Sequence, residues 1–259
     1  MKMQRNRKVP PFRVVASSQF SRFVKILTDH GLDDFRPYSF QKKLLNKFSD
    51  GLRPESIGRR NHIVIAPRQC GKTTIIAIYA LWYMIFNPDK SVAIMSYKLD
   101  AAKEILYKIR EIYCNLPEFI KPVATINNNK ILKFENNSYI IAVACSSNAI
   151  KGRAIDLLIL DEAAFIRKTD FDSFLMSVFP TQASRRNAQT ILISVPNSIH
   201  HGFYEIWKKA INGKNSFVPS KIRWNCVPYR NEEWKEQMIR DYGPAFFERE
   251  YAVEFMEIE

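Results

Sequence analysis

Short apolar runs alternate along this chain with longer segments whose apolar residues recur every three or four positions. A polar lead-in fills most of residues 1–35 and contains one short helical stretch, around Ser18 to Asp29. In RPYSFQKKLLNKF, Phe40, Leu44, Leu45 and Phe48 fall on one helical face. A Gly/Pro loop, GLRPESIGRRN, separates this helix from the apolar strand HIVIA. KTTIIAIYALWYMIF follows as a helix apolar on all sides, stopped by Asn87-Pro88. SVAIMSY predicts a second strand. DAAKEILYKIREIYCNL predicts an amphipathic helix, with Asp100 as its cap and Pro117 beyond its end.

The rhythm then changes. VATINNNKILKFENNSYIIAVAC alternates apolar and polar residues between Asn-rich turns, as hairpin strands do. Strand and helix resume with the apolar strand IDLLILDEAAF, the helix FDSFLMSVF, the strand QTILISVPN and the helix FYEIWKKAI. FVPSKIRWN supplies one more candidate strand, and Glu232 to Phe255 reads as mostly helical. Strands that are apolar throughout and alternate with helices belong to a parallel sheet covered on both faces. The expectation is therefore an α/β fold with a mostly parallel central sheet. Residues 1–35 form a lead-in, 36–230 the core, and 231–259 a helical segment packing as a subdomain or linker.

Composition changes this picture in one respect. A hydrophobic content of 46% and a charged content of 25% are ordinary for a chain of 259 residues with a real core. No run approaches the roughly 18–20 apolar residues of a membrane helix, so no membrane partner is expected. The basic start MKMQRNRKVP leads into no apolar stretch of a signal peptide. Four scattered cysteines without a CxxC pair suggest free thiols in a reducing compartment. The formal charge, however, is +13, and it is unevenly spread: residues 1–60 carry a surplus of +9 and residues 231–259 a deficit of −6. A basic end attracts phosphate backbones, and an acidic end repels them or docks a basic partner.

Candidate chemistry sits at two strand ends. VIAPRQCGKTT runs from strand to helix and supplies Gly71, Lys72 and Thr73. These provide the glycine that lets backbone approach phosphate, the lysine that reaches β- and γ-phosphates, and the hydroxyl that holds Mg²⁺ at a helix N-terminus. The usual first glycine is replaced by Ala66, followed by Pro67 and a charged Arg68. The apolar run LLIL ends in Asp161-Glu162. That position sets Asp161 at the carboxyl edge of the sheet to bind Mg²⁺, with Glu162 placed to polarise an attacking water. Together the two motifs predict a nucleoside triphosphatase of the P-loop class.

APRQCGKTT, LLILDEAAF and ILISVPN followed by GFYEIW, in that order, resemble the ATPase domain of the large terminase subunit of tailed bacteriophages. The resemblance covers roughly Phe35 to Phe255. It implies a P-loop NTPase of the additional-strand, catalytic-Glu type that hydrolyses ATP with Mg²⁺ and moves double-stranded DNA into a procapsid. Carried over residue by residue, it implies that Pro67, Arg68, Gln69, Cys70, Gly71, Lys72, Thr73 and Thr74 bind ATP. Thr73 and Asp161 would hold the metal, and Glu162, Arg68 and Lys72 would be catalytic. Arg68 matches a loop arginine that reaches the γ-phosphate in cis; physically it could equally hold the loop. Gln41 matches a glutamine that reads the adenine edge, with Tyr38 or Phe40 as candidate base-stacking rings. Ser194, Val195, Pro196 and Asn197 match the coupling motif, with Val195 departing from the common pattern. Lys151 and Arg153 are candidates for a basic residue acting on a neighbouring subunit.

The same resemblance implies a viral portal protein and a small terminase subunit as partners, a ring homo-oligomer on the procapsid with a monomer possible in solution, and action in the host cell cytoplasm. The sequence stops after EREYAVEFMEIE, where the linker to that family's nuclease domain would begin, so a motor domain with the nuclease absent is expected. Two alternatives stand beside this reading. One is a helicase-like DNA translocase, which would need a second motor domain. The other is a nucleotide-dependent assembly subunit without turnover.

Overall fold

The computed structural model describes residues 16–31, 36–53, 56, 60–146, 150, 152–183 and 187–257. Its frame is one sheet of eight strands in the order β3-β4-β5-β2-β6-β7-β1-β8. The strands are β1 (Asn61–Ile65), β2 (Ser91–Ser96), β3 (Ala124–Asn127), β4 (Ile131–Phe134), β5 (Tyr139–Ala144), β6 (Leu157–Asp161), β7 (Gln189–Ser194) and β8 (Phe217–Lys221). From β5 to β8 every neighbouring pair is parallel, and β3 and β4 add antiparallel partners at one edge. The mostly parallel sheet expected from the apolar runs is present. So is the excursion through the Asn-rich turns, where the Asn128 side chain accepts from the backbone N–H groups of Lys130 and Ile131.

The strands are apolar throughout because both faces are covered. Val64, Val92, Ile94, Leu157, Ile159, Ile191 and Ile193 face one core, shared with helices α1 (Ala16–Ile26), α2 (Ser39–Asp50), α3 (Lys72–Phe86) and α4 (Leu99–Cys114). Their sequence neighbours Ile63, Ile65, Ala93, Met95, Leu158, Leu160 and Leu192 face a second core under α5 (Lys168–Ala183) and α6 (Gly202–Ile211). This is the period of two expected of a pleated strand. In α3 every residue from Ile75 to Met84 is buried, so the helix that starts at the glycine loop is sunk into the core on all sides. In α4 only one stripe is buried: Ala102, Ile105, Leu106, Ile109, Ile112 and Tyr113.

Two local expectations need correction. Asp100 does not cap α4. The helix starts at Leu99 behind Lys98, and the Asp100 carboxylate accepts from Lys103 Nζ one turn on, at 3.0 Å. The helix expected at FDSFLMSVF is longer at both ends, Lys168–Ala183; its first turn is closed by the Asp170 and Phe171 N–H groups on the Arg167 carbonyl, with Arg167 and Asp170 paired across it. At the other end of the chain, α7 (Glu232–Tyr242) and α8 (Pro244–Phe247) lead into a wide helical turn, Glu248–Ala252. All four cysteines are free thiols.

One buried base lies beneath this frame. His62 on β1 is 2% exposed, and its ring packs 5.0 Å from that of Phe48. Neither ring nitrogen finds a hydrogen-bond partner among the described residues. Burial, and secondarily Lys47, push its pKa down to about 3. The unfolded chain takes up a proton below the ordinary value of 6.5, and the fold does not. His62 therefore withholds no stability above pH 6.5 and removes progressively more as pH falls toward 3. Denaturant unfolding of the wild type and His62→Leu between pH 7 and pH 4 is expected to show a steeper loss for the wild type. The difference in slope should approach, but not exceed, about 1.4 kcal/mol per pH unit. Parallel slopes would remove His62 from the acid sensitivity.

Candidate functional site

The site is assembled at the carboxyl edge of the sheet, where β1, β7 and β6 end side by side. β1 runs into the loop 66–71 and then α3. Ala66 N–H donates to the Ser194 carbonyl at 3.0 Å, so the loop leaves the sheet fastened to the end of β7. Ala66 and Pro67 are buried, and Arg68 and Gln69 are exposed on the loop's crest. Gln69 and Gly71 take positive φ, 55° and 82°. At Gly71 a Cβ would also lie 2.6 Å from the Gln41 amide nitrogen. Glycine is thus required by the backbone conformation, and a Cβ would in addition push the end of the Gln41 side chain aside. Lys72 opens α3, with Thr73 and Thr74 half-buried on its first turn.

The lysine is 7% exposed and is held by two oxygens. Its ammonium donates to the Pro67 carbonyl at 3.2 Å and lies 3.7 Å from Glu162 Oε1. Glu162 sits just past β6 at φ 49°, ψ 42°, a left-handed turn that bends the chain off the strand end. Ser194 Oγ donates to Glu162 Oε2 at 3.3 Å and accepts from Ala164 N–H at 3.2 Å. Asn197 Nδ2 donates to the Ala164 carbonyl at 3.3 Å. Lys72, Glu162, Ser194 and Asn197, which come from three segments of the sequence, therefore form one connected set. Val195 and Pro196 are buried between the last two.

Asp161 is the last residue of β6 and is 6% exposed. Burial, then the neighbouring Glu162 charge, push its carboxyl up to about 7, with Lys72 opposing. Its Oδ1 has no hydrogen-bond partner among the described residues. A buried carboxylate oxygen left in that state is costly unless a cation meets it, and oxygen donors of this hard kind suit Mg²⁺. The donor chemistry of Asp161 thus fits a divalent cation.

Gln41 reaches the loop from α2. Its Nε2 donates to the Cys70 carbonyl at 3.0 Å, and its Oε1 accepts from Tyr38 N–H at 2.9 Å. The amide group has one further N–H and one further lone pair beyond these two bonds. Tyr38 and Phe40 stack on each other at 5.8 Å, with Phe40 in the core and Tyr38 half-buried. One described sequence candidate does not join the cluster. Arg153 is exposed, four residues before β6 begins, toward the opposite edge of the sheet. Lys151 lies outside the described residues.

Three participants carried no signal in the sequence. The first is Glu250, 1% exposed, whose two oxygens pair with Arg68 Nε and with Arg249 Nε, the latter at 2.8 Å. Its hydrogen bond raises the Arg68 pKa, and its backbone carbonyl accepts from Arg68 N–H at 3.0 Å. The second is Arg230, which donates from Nη2 to the Arg68 carbonyl at 2.8 Å. The third is His201, the cap of α6. Its Nδ1 accepts from Phe203 N–H at 3.0 Å and its Nε2 meets the Ile166 carbonyl at 2.8 Å, with burial lowering its pKa. Farther along the C-terminal segment, Met256 N–H donates to the Asn197 carbonyl and Ile199 N–H to the Met256 carbonyl, both at 2.9 Å. Ile166 lies 35 residues before His201, and Glu250 lies 182 residues after Arg68. Only the fold brings such partners together.

Residues 63–259 match the family described as terminase large subunit, T4likevirus-type, N-terminal. The fold is similar to the large terminase ATPase domain of Thermus phage P74-26, with TM-score 0.71 and 19% identity over 94% of this chain and 100% of that one. It is also similar to the HK97 bacteriophage large terminase, with TM-score 0.72 and 16% identity over 91% of this chain and 55% of that one. A third likeness is to the large terminase of a thermophilic bacteriophage in complex with ADP, with TM-score 0.65 and 15% identity over 86% of this chain and 54% of that one. At these identities the likeness carries the fold.

Gly71→Ala is expected to destabilise the protein by about 1–3 kcal/mol, through strain at positive φ and displacement of the Gln41 amide. Adding Gln41→Ala removes the second contribution, so the double variant should lose less than the two single losses combined. Chemical denaturation of the three variants measures this. Strict additivity would show that the two residues do not press on each other.

Proposed function

The chain belongs to the family of T4likevirus-type large terminase subunits, matching its N-terminal domain, and from that footing we propose that it is an ATP-hydrolysing DNA-packaging motor. In this reading it binds ATP with Mg²⁺ at the Lys72–Asp161–Glu162 junction, hydrolyses it, and uses the cycle to drive double-stranded DNA into a procapsid. The observation that carries the reading is the convergence of Lys72, Asp161, Glu162 and Ser194 at one sheet edge, with the lysine 3.7 Å from Glu162 and the serine 3.3 Å.

Each residue then has a physical task. The loop backbone and the start of α3 cradle the phosphates, and Lys72 leaves Pro67 and Glu162 to meet their charge. Thr73 and Asp161 would hold the Mg²⁺, which neutralises phosphate charge when bound. Glu162, relieved of the lysine, accepts a proton from the water that attacks the γ-phosphorus in line. Ser194 fixes the carboxylate's orientation. Arg68 is the cation placed to meet charge on the leaving phosphoryl group, once it exchanges Glu250 for phosphate. Gln41 reads the base edge. Ser194 and Asn197 also bind the turn after Glu162, so a change at the γ-phosphate reaches the end of β7 through hydrogen bonds. Contacts with DNA through its phosphates follow from the charge of +13. The portal, the small subunit, a ring of copies and the host cytoplasm belong to the same proposal, and Lys151 or Arg153 would serve a neighbouring copy.

Turnover measured on purified protein, with and without double-stranded DNA, tests the reading. Lys72→Ala is expected to abolish turnover and weaken ATP binding. Glu162→Gln keeps the shape of the side chain and loses its basicity. It should bind ATP like the wild type and lose at least about 100-fold in kcat. Wild-type turnover in either variant would sink the assignment. Binding without turnover in the wild type would favour an assembly subunit.

A further inference from the structure

The hydrogen bonds around Arg68 contain an asymmetry. Its N–H and its guanidinium both go to Glu250, and its carbonyl goes to Arg230. Arg230 is the more unusual of the two partners. It is 3% exposed, yet among the described residues only its Nη2 finds a hydrogen-bond acceptor, and Nε and Nη1 have none. A buried guanidinium in that condition is costly unless something else holds it. What holds it is aromatic: its Cζ lies 4.9 Å from the ring centre of Trp234, 5.1 Å from Tyr251 and 5.6 Å from Tyr229. Trp234 is itself wedged among Trp224, Phe247 and Tyr251. The rings orient the planar fork and attract its charge, while offering no competing acceptor for the N–H that reaches the loop.

We infer that Arg230 is a positioning residue for Arg68: caged by Trp234 and Tyr251, it fixes the Arg68 carbonyl and so aims the Arg68 side chain at the phosphate site. The geometry favours this over a role in stability alone. The crest of the phosphate loop is exposed at Arg68 and Gln69, and Gln69 is held at positive φ. Without the Arg230 bond the Arg68 carbonyl loses its anchor, and the loop backbone that carries the side chain is held only through the Arg68 N–H and guanidinium on Glu250. Lysine at 230 would keep a cation in the cage but lose the planar fork. Methionine would keep much of the volume and lose both charge and donor.

The inference rests on the ATPase reading and on Arg68 acting there, and the test keeps the three apart. Steady-state ATPase kinetics, Mg·ADP binding followed by tryptophan fluorescence, and thermal unfolding are measured on Arg68→Ala, Arg230→Met, Arg230→Lys and the double variant Arg68→Ala/Arg230→Met. The expectation is that Arg68→Ala and Arg230→Met each lower kcat by at least about tenfold, with Mg·ADP affinity within about threefold of wild type. The double variant should be slower than Arg68→Ala alone by no more than about twofold, because both changes remove the same interaction. Arg230→Lys should fall between wild type and Arg230→Met. A merely structural role would move the melting temperature and multiply the kcat losses. Multiplied losses, wild-type kcat in Arg230→Met, or failure of both Arg230 variants to fold would overturn the inference. Full turnover by Arg68→Ala would overturn the role of Arg68 and this inference with it. The Lys72 and Glu162 variants would still judge the ATPase reading on their own.

Discussion

A lysine ammonium buried at the mouth of an apolar core is the constraint on which the rest of the site depends. Lys72 cannot reach bulk water at 7% exposure, so its charge must be met by oxygens fixed in the fold. The nearest are the Pro67 carbonyl and Glu162. Both arrive because strands β1 and β6 end at one edge with β7 between them. The intervening strand is more than a spacer. Its last residue, Ser194, receives the loop backbone on one side through its carbonyl and holds Glu162 on the other through its hydroxyl. Within the site Lys72 rests on Glu162, Arg68 rests on Glu250, and Asp161 Oδ1 has no hydrogen-bond partner among the described residues. A phosphate group with its cation would redistribute all three.

The parts of this fold visible in the sequence were those governed by nearest neighbours and periodicity. The uniformly apolar strands around Val64, Ile94, Ile159 and Ile191 could be read because burial on both faces leaves no polar position to alternate with. The loop could be read because Gly71, Lys72 and Thr73 are adjacent, and the carboxylates because Asp161 and Glu162 follow an apolar strand directly. The misreading at Asp100 was local as well: an acidic residue near a helix start serves as a cap or as a first-turn partner, and which one depends on where the backbone begins to coil. Glu250, Arg230 and His201 were of another kind. In EREYAVEF and PYRNEEW nothing distinguishes Glu250 or Arg230 from solvated charges, and the acidic surplus of residues 231–259 suggests a solvated face. Their burial follows from the packing of Trp224, Trp234, Phe247 and Tyr251, a long-range event that leaves no spacing to detect.

Aromatic packing in the C-terminal segment thus has a polar consequence. A small apolar nucleus without much depth gives Arg230 and Glu250 a dry place beside the phosphate loop, and Arg68 reaches Glu250 from the exposed crest. Charge pairs there are less screened than on an open surface, and they respond more strongly to a change in neighbouring charge. A segment that is acidic on average contributes Glu250, its one buried acid among the described residues, to the crest of the loop.

The same segment is fastened a second time. Beyond Glu250, Met256 exchanges backbone hydrogen bonds with Asn197 and Ile199, just past the end of β7. A ribbon pinned at both ends to the strands that flank the site cannot peel away from one end alone without loading the other. In hydrogen–deuterium exchange such a ribbon would count as part of one cooperative opening unit with the crest of the phosphate loop. The amides of Arg68, Ile199 and Met256, although scattered along the chain, would then exchange by the same opening event, and nucleotide at the loop would slow all three.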